Sequence, residues 1–397
     1  MNLAILADAR SMIAINWVRW LVEHGHSVHW ISSRSASPPL PGLASFRILP
    51  LFPELPNGVN ISRKNRLLHP AATIMRHWWM PFRLGARGSE LNRLLKEIQP
   101  DLLHAMRIPQ EGMVAAQART ILSGYSRSVP LLASVWGDDF TYHAQSSPMM
   151  KQLTRTTMKK VDALHSDCRR DIRLAIEWGM RIDTMTMVEP GNGGIRSDLF
   201  FQGKPGDELL KRFSLPEDAL FIVNPRGIRG VARTDTFFRS IPRVHKEIPS
   251  AHFLALRMAG SAEAEEWVRR LGLGDCVTLL PALSAEDMAE LFRLSAVMLS
   301  LTVHDGLPNV LLEAMACGCY PVCGDLESLR EWIDDGRNGS LVPAGDPEIV
   351  AGTVIRVASD SALRREAAQR NAGIIRERAE WNTVMGRVEE FYRAMIT

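Results

Sequence analysis

Residues 302–343 read TVHDGLPNVLLEAMACGCYPVCGDLESLREWIDDGRNGSLVP, and the reading of the chain starts here. An apolar strand, Val297 to Leu301, runs into the loop His304-Asp305-Gly306-Leu307-Pro308. A short apolar helix is predicted next, from Asn309 to Cys317. Gly318 is placed to end it, because a left-handed residue is needed there and glycine adopts that conformation without penalty. Tyr320 to Cys323 then reads as a buried strand. The first amides of a helix lack internal partners and carry partial positive charge, so the turn before Asn309 reads as an anion site. Two acids frame it, Asp305 in the loop and Glu313 on the helix. Carboxylates accept hydrogen bonds from paired hydroxyls, so the pair suits a ligand with phosphates at one end and hydroxyls at the other.

The chain of 397 residues predicts two or three domains at roughly 150 residues each. An apolar content of 46% and a charged content of 23% are ordinary for a soluble globular protein. A net charge of +3 is too small to imply a nucleic-acid partner. The five cysteines, Cys168, Cys276, Cys317, Cys319 and Cys323, are odd in number and lack paired spacing. That fits a reduced, cytoplasmic setting with core thiols, and Cys317-x-Cys319 is not zinc spacing. MNLAILADAR lacks a basic start and reads as a first strand rather than a signal peptide. No run reaches the roughly 18 apolar residues needed to span a bilayer, so a soluble or peripheral protein is expected.

Outward from the opening stretch, strands and helices alternate. Leu3 to Leu6 is a strand, Ile13, Trp17 and Leu21 share one helix face, and Ser27 to Ser32 is the next strand. Such strand–helix–strand units build an α/β domain with a parallel sheet. No G-x-G-x-x-G occurs in the first turn, which argues against a nicotinamide dehydrogenase. The stretch from Leu55 to Ser89 has no acid but holds Arg63, Lys64, Arg66, Arg76, Arg83 and Arg87, with Trp78, Trp79 and Phe82 between them. That composition suits an anionic membrane surface at the inner face, and equally a solvated helix or a site for a phosphorylated acceptor. Leu91 to Ile98 reads as a helix. Strand Pro130 to Val135 ends in Trp136-Gly137-Asp138-Asp139-Phe140, with His143 close behind. Ligands of such sheets bind beyond the carboxyl ends of strands, so this loop is a site candidate. Asp138 and Asp139 adjoin, and neighbouring acids pointing different ways do not make a metal site; none is expected. Val161 to Leu164 is read as a further strand. Pro190-Gly191-Asn192-Gly193-Gly194 then allows close backbone approach, and Gly203 to Asp207 reads as the domain boundary. A strand from Leu220 to Val223 leads to Arg226, Arg229 and Arg233, three cations where phosphate would bind.

These motifs resemble the retaining nucleotide-sugar glycosyltransferases of family 4, which have the GT-B fold. That family reads E-G-x-P-N-x-x-x-E-A-M-A-x-G-x-P-V. Here the spacing is intact from Asp305-Gly306-Leu307-Pro308-Asn309 through Glu313-Ala314-Met315-Ala316 to Pro321-Val322, with aspartate in place of the first glutamate. The resemblance implies two Rossmann-like domains facing across a cleft, 1–203 binding the acceptor and 208–378 the donor, with a helix 381–397 crossing back to the first. It implies sugar transfer with retention from a nucleotide diphosphate-sugar, as co-substrate and without cofactor or metal, to a glycan or lipid-linked acceptor. Glu313 would bind the ribose diol and Asp305 the sugar hydroxyls. Arg226 would meet the diphosphate together with Arg233, or with Arg229 in an alternative alignment, and the Gly306 to Asn309 backbone would line the donor. Trp136, Asp139, His143 and Asn192 would stand on the acceptor side. Two departures matter: the first loop lacks the family's glycine pair, and arginine replaces the second basic lysine. The aspartate at position 305 and the missing glycine pair leave a non-catalytic partner subunit of the same fold open, and a nucleotide-sugar epimerase is less favoured because those enzymes lack the arginine-plus-acid-pair pattern.

Overall fold

In the computed structural model the backbone is described for residues 1–51, 69–121 and 129–397, and the side chains for 1–51, 83–119 and 129–397. Most of the basic, tryptophan-bearing stretch 55–89 therefore lies outside the described side chains. The chain divides into two compact units, 1–193 with 385–397, and 194–384.

The first unit is built on a seven-stranded sheet. Its strands are β1 (Asn2–Ala7), β2 (Ser27–Ser32), β3 (Ser45–Ile48), β4 (Leu102–Ala105), β5 (Leu131–Val135), β6 (Ala163–Ser166) and β7 (Met185–Val188). They lie in the order β3-β2-β1-β4-β5-β6-β7, and every pairing is parallel. The short runs NLAILA and LLASV are apolar almost throughout, as strands buried on both faces must be. The helix read from Leu91 is longer, His69–Ile98. The strand expected at Val161 begins two residues later, because the Asp162 carboxylate turns back to accept from Leu131 N at 2.7 Å.

The second unit carries β8 (Leu220–Asn224), β9 (Ala251–Leu256), β10 (Val277–Leu280), β11 (Ser295–Ser300), β12 (Tyr320–Gly324) and β13 (Ser340–Val342). The order is β10-β9-β8-β11-β12-β13, again all parallel. Successive side chains point to opposite faces. Phe221 and Val223 therefore join one core with Met298 and Leu311, while Ile222 joins another with Phe237 and Val297. Sequence order reverses between β8 and β11, and ligands of open α/β sheets bind at such a switch point. Gly318 follows the helix Asn309–Ala316 with φ +85°, the left-handed residue expected there.

The unit boundary falls earlier than the glycine-rich segment at 203–207. Ile195 exchanges backbone hydrogen bonds with Ala379 and Trp381, and Ile195 and Phe200 are buried in the second unit's core. The segment 194–203 is thus tied to the second unit by hydrogen bonds and burial.

The last helix, Trp381–Ile396, belongs with the first unit from Met385 onward. A buried hydrogen-bond chain holds it. Tyr392 Oη lies 2.6 Å from His104 Nδ1, His104 Nε2 2.7 Å from Ser134 Oγ, Ser134 Oγ 2.9 Å from His165 Nδ1, and His165 Nε2 3.0 Å from the Glu189 carbonyl. A carbonyl only accepts, so His165 Nε2 carries the proton and Nδ1 accepts from Ser134. Ser134 then accepts from His104 Nε2, and His104 Nδ1 accepts from the Tyr392 hydroxyl. Both imidazoles are neutral in this chain. Burial pushes the His165 pKa down to about 4 and holds that of His104 well below its ordinary value. Glu189 clasps Arg387 on the same helix at 2.5 and 2.7 Å. Tyr392→Phe removes the one donor to His104 Nδ1 and leaves a buried acceptor unsatisfied. The expected cost is about 1–3 kcal/mol, read as a lower midpoint in chemical denaturation.

Candidate functional site

The second unit gathers its polar groups at the switch point. Arg226 follows β8, and Asp305 lies in the loop after β11. Arg226 Nη2 donates to Asp305 Oδ2 at 2.5 Å, with both side chains largely buried. Asp305 also accepts from Gly306 N at 3.1 Å through Oδ1, and its carbonyl accepts from Ser328 Oγ at 3.0 Å. Arg226 N in turn donates to Asn224 Oδ1 at 3.0 Å. The two loops are stitched along their backbones. Ala232 bridges Thr302, Arg233 N donates to Leu301 O at 2.8 Å, and Val303 N donates to Val231 O at 2.9 Å. One guanidinium and one carboxylate that were assigned separate ligand groups are therefore paired with each other.

The helix Asn309–Ala316 starts at Pro308 with no side chain capping it. Leu311 N turns back to Pro308 O at 3.0 Å, which leaves the first-turn amides as the positive end of the helix. Pro308 contributes no amide, and Leu307 is buried in the core beside Leu311. Glu313 is half-buried on this helix, and no donor among the described residues hydrogen-bonds its carboxyl. Burial raises its pKa to about 7 against the opposing charge of Arg257. Arg257, at the end of β9, was not singled out from the sequence.

Arg233 has a carboxylate partner of its own. It forks onto Asp235 in the first turn of its own helix, at 2.9 and 2.8 Å, and this bond raises its pKa. Its Nη1 faces Gly345. Arg229 is exposed on the intervening loop. A groove of about 850 Å³ lined by Asp325, Arg330, Trp332, Arg370 and Arg378 includes none of the residues of the switch point.

In the first unit the loop after β5 forms a second cluster. Asp139 is fully buried and accepts from Arg107 Nε at 3.2 Å, Trp136 N at 3.0 Å and Ile108 N at 3.4 Å. Asp138 accepts from Arg107 Nη2 at 3.3 Å and lies 3.3 Å from His143 Nε2. The adjacent acids thus share one guanidinium, so a side chain meets their charge. Burial raises the Asp139 pKa to about 6, with Arg107 opposing. Burial also disfavours Asp138 ionisation, but His143 and Arg107 outweigh it and its pKa falls. Glu111, buried close by, accepts from Ser33 Oγ at 2.5 Å, and burial lifts its pKa to about 7. It lies on the turn Ile108–Gly112, where Gln110 is held at φ +76° and ψ −79°. The indole Nε1 of Trp136 donates to Met106 O at 2.6 Å. Its ring lies on Gly191, where a Cβ would be 2.5 Å from a ring carbon, and Asn192 is buried next to it. The structure thus brings together Trp136, Asp139 and His143, with the 191–192 loop against the Trp136 ring. It adds Ser33, Arg107 and Glu111. Arg107 stands just past strand β4, so the same strand-end rule that marked Trp136 could have found it.

For metals, the described residues hold one trio, Asp167, Cys168 and Asp171. Arg170 lies among them and donates from Nε to Asp171 Oδ1 at 2.8 Å, so a cation is already present as a side chain.

Two units built on all-parallel sheets, the second with an acid-framed helix start at its switch point, have the GT-B fold. Residues 2–168 match the family described as glycosyl transferase 4-like, and residues 227–360 the family described as glycosyl transferases group 1. The chain belongs to the group 1 glycosyltransferases. It is similar to N-acetyl-alpha-D-glucosaminyl L-malate synthase of Bacillus anthracis, 22% identical over 94% of this chain and 90% of that protein. It is also similar to D-inositol 3-phosphate glycosyltransferase of Stackebrandtia nassauensis, 28% identical over 47% of this chain and 43% of that protein. Two solved structures share its fold. One is sucrose-phosphate synthase from Thermosynechococcus elongatus, with a TM-score of 0.75, 17% identity and coverage of 100% of this chain and 99% of that one. The other is Anabaena Alr3699/HepE in complex with UDP-glucose, with a TM-score of 0.76, 14% identity and coverage of 99% of both chains.

The raised Glu313 pKa yields a stability test. The unfolded carboxyl loses its proton near its ordinary value of 4.5, and the folded one only near 7. Ionisation therefore destabilises the folded state progressively as pH rises between those values. Glu313→Gln is expected to raise the melting temperature at pH 8, with the gain fading as pH falls to 4.5. Differential scanning fluorimetry across that range reads it.

Proposed function

We propose that this chain is a retaining, metal-independent hexosyltransferase that moves a sugar from a nucleotide diphosphate-sugar to a glycan or lipid-linked acceptor. The observation that carries this is the uncapped start of the Asn309–Ala316 helix, with the Arg226–Asp305 pair at one side and the unbonded Glu313 carboxyl at the other. The pair of an anion-binding helix end and two acceptors matches a donor with a diphosphate, a ribose diol and sugar hydroxyls. Structural neighbours that hold UDP and UDP-glucose support a nucleotide-sugar donor.

In this reading Glu313 accepts from the ribose diol, and Asp305 orients the sugar hydroxyls and Arg226. Arg226 and the first-turn amides stabilise the departing diphosphate as its charge develops. The bond from the anomeric carbon to the phosphate oxygen breaks, and one to the acceptor oxygen forms on the same face. The acceptor's proton passes to the leaving phosphate oxygen. The Arg107–Asp138–Asp139–His143 cluster, with Trp136 and Asn192, serves the acceptor. Neither a non-catalytic subunit nor an epimerase is favoured by the relatives found.

Isothermal calorimetry with nucleoside diphosphates in excess EDTA tests the donor side. Arg226→Ala is expected to lose roughly 1.5–3 kcal/mol of binding, the range for hydrogen bonds to charged groups. Arg233→Ala should lose less, since both arms of its guanidinium fork are committed to Asp235 and its remaining nitrogen faces Gly345. A larger loss on Arg229→Ala moves the second cation there, and binding that requires magnesium or manganese contradicts metal independence.

For the acceptor, we place the chain in the cytoplasm, docked at the inner membrane face through the basic stretch 55–89. Among the described residues no helix is long and apolar enough to cross a membrane. Co-sedimentation with anionic vesicles should fall with added salt, and fall again when Arg76, Arg83 and Arg87 become glutamate. Binding indifferent to both removes the membrane from the account and leaves the transferase intact.

A further inference from the structure

The groove beside the helix Ser361–Arg378 lies wholly within the second unit. That helix lines it on one side and the loop 330–338 on the other. The two sides are tied together by buried amides. Asn338 Nδ2 donates to Trp332 O and to Asn371 Oδ1, both at 2.9 Å, and Asn371 Nδ2 donates to Asn338 O at 2.9 Å. The groove is therefore preformed, and Ile333, Leu341 and Ile374 give it an apolar lining between its charges.

Most of those charges are already met within the chain. Arg330 forks onto Asp325 at 2.8 and 2.7 Å, Arg337 pairs with Asp334 at 3.3 Å, and Asp335 accepts from Leu341 N at 2.9 Å. Arg378 lies 4.0 Å over the Trp332 ring and donates to Glu331 O at 3.0 Å. Arg370 and Glu377 are left over. Both are exposed, and neither hydrogen-bonds or ion-pairs with a described residue. A phosphate or a polyanion drawn to Arg370 would meet Glu377 as well. The occupant that fits carries both signs, in reverse order.

The helix itself supplies that order. Arg370, Gly373, Ile374 and Glu377 recur at i, i+3, i+4 and i+7, the spacing of one helix face. Nothing inside the chain calls for glycine at 373: the backbone is helical, and a Cβ there would meet nothing within 4 Å. Glycine is less favourable than alanine in a helix, but it lets a second backbone come close. Two copies of this face are self-complementary when antiparallel. A two-fold axis passing between Gly373 and Ile374 sets each Arg370 opposite the second copy's Glu377, and each Ile374 over the second copy's Gly373. An isologous contact repeats each of these pairings twice.

We propose that this chain forms a two-fold dimer through the face Arg370–Gly373–Ile374–Glu377, with the second copy's helix seated along the groove. The apolar side chains supply affinity and the two ion pairs fix the register, since charge complementarity gives specificity more than affinity. The dimer does not depend on the donor-site reading, because the groove includes none of the switch-point residues.

Sedimentation equilibrium of the whole chain from about 1 to 100 µM, the range for an interface at the small end of the stable ones, reads the dimer. Wild type should pass from monomer to dimer across it. Arg370→Glu and Glu377→Arg should each weaken association roughly a hundredfold, because each sets like charges opposite one another twice. Their melting temperatures should match that of wild type at the low end of the range, since both side chains are exposed. Mixing the two variants in equal amounts should restore the dimer, because the mixed pair again has opposite charges at both contacts. Gly373→Leu should abolish the dimer while the melting temperature of the monomer holds or rises. A wild type that stays monomeric overturns the inference and leaves the groove to another occupant. A dimer indifferent to the single reversals, or no recovery on mixing, overturns it and places the contact elsewhere.

Discussion

Arg226 and Asp305 are 79 positions apart in the chain and 2.5 Å apart at their side-chain tips. That contact depends on strand order. β8 and β11 are neighbours because the sheet runs β10-β9-β8-β11-β12-β13, and their following loops emerge side by side. The Ala232–Thr302 bridge and the Ser328 hydrogen bond then fix the Asp305 loop from two directions. Once that loop is fixed, so is the start of the helix at Asn309, and so is the face from which Glu313 projects. A largely buried ion pair is weak evidence for stability, since desolvation offsets most of the attraction. Its value here is geometric: it places a cation, a carboxylate and a helix end around one small volume.

The two units solve the burial of polar groups in different ways. Under the terminal helix of the first unit, Tyr392, His104, Ser134 and His165 form a chain in which each donor has its acceptor and neither imidazole is charged. Such a network rigidifies because every member is satisfied. At the strand ends the carboxyls are treated otherwise. Glu111, Asp139 and Glu313 are all pushed upward by burial, to about 7, 6 and 7. Groups held near neutrality at the carboxyl ends of parallel strands cost stability and suit ligand chemistry.

Much of this was legible in the residues. Apolar runs of four to six residues between helical patterns marked nearly every strand, since a parallel sheet buried on both faces demands them. The Asp305-x7-Glu313 spacing marked the helix Asn309–Ala316, and Gly318 its end. The Arg226–Asp305 pairing was not legible, because it follows from strand order rather than local sequence. The unit boundary was misplaced by composition. Glycines and charge at 203–207 suggested a linker, while Ile195 was already bonded to Ala379 and Trp381.

The central claim is that the switch point of the second sheet holds the nucleotide end of the donor. A crystal structure of the whole chain soaked with the nucleoside diphosphate it binds most tightly tests this directly. The account predicts the ribose hydroxyls on Glu313 and the diphosphate against Arg226 and the first-turn amides of the Asn309–Ala316 helix. A nucleotide bound elsewhere, with Glu313 untouched and Arg226 still closed on Asp305, would contradict it.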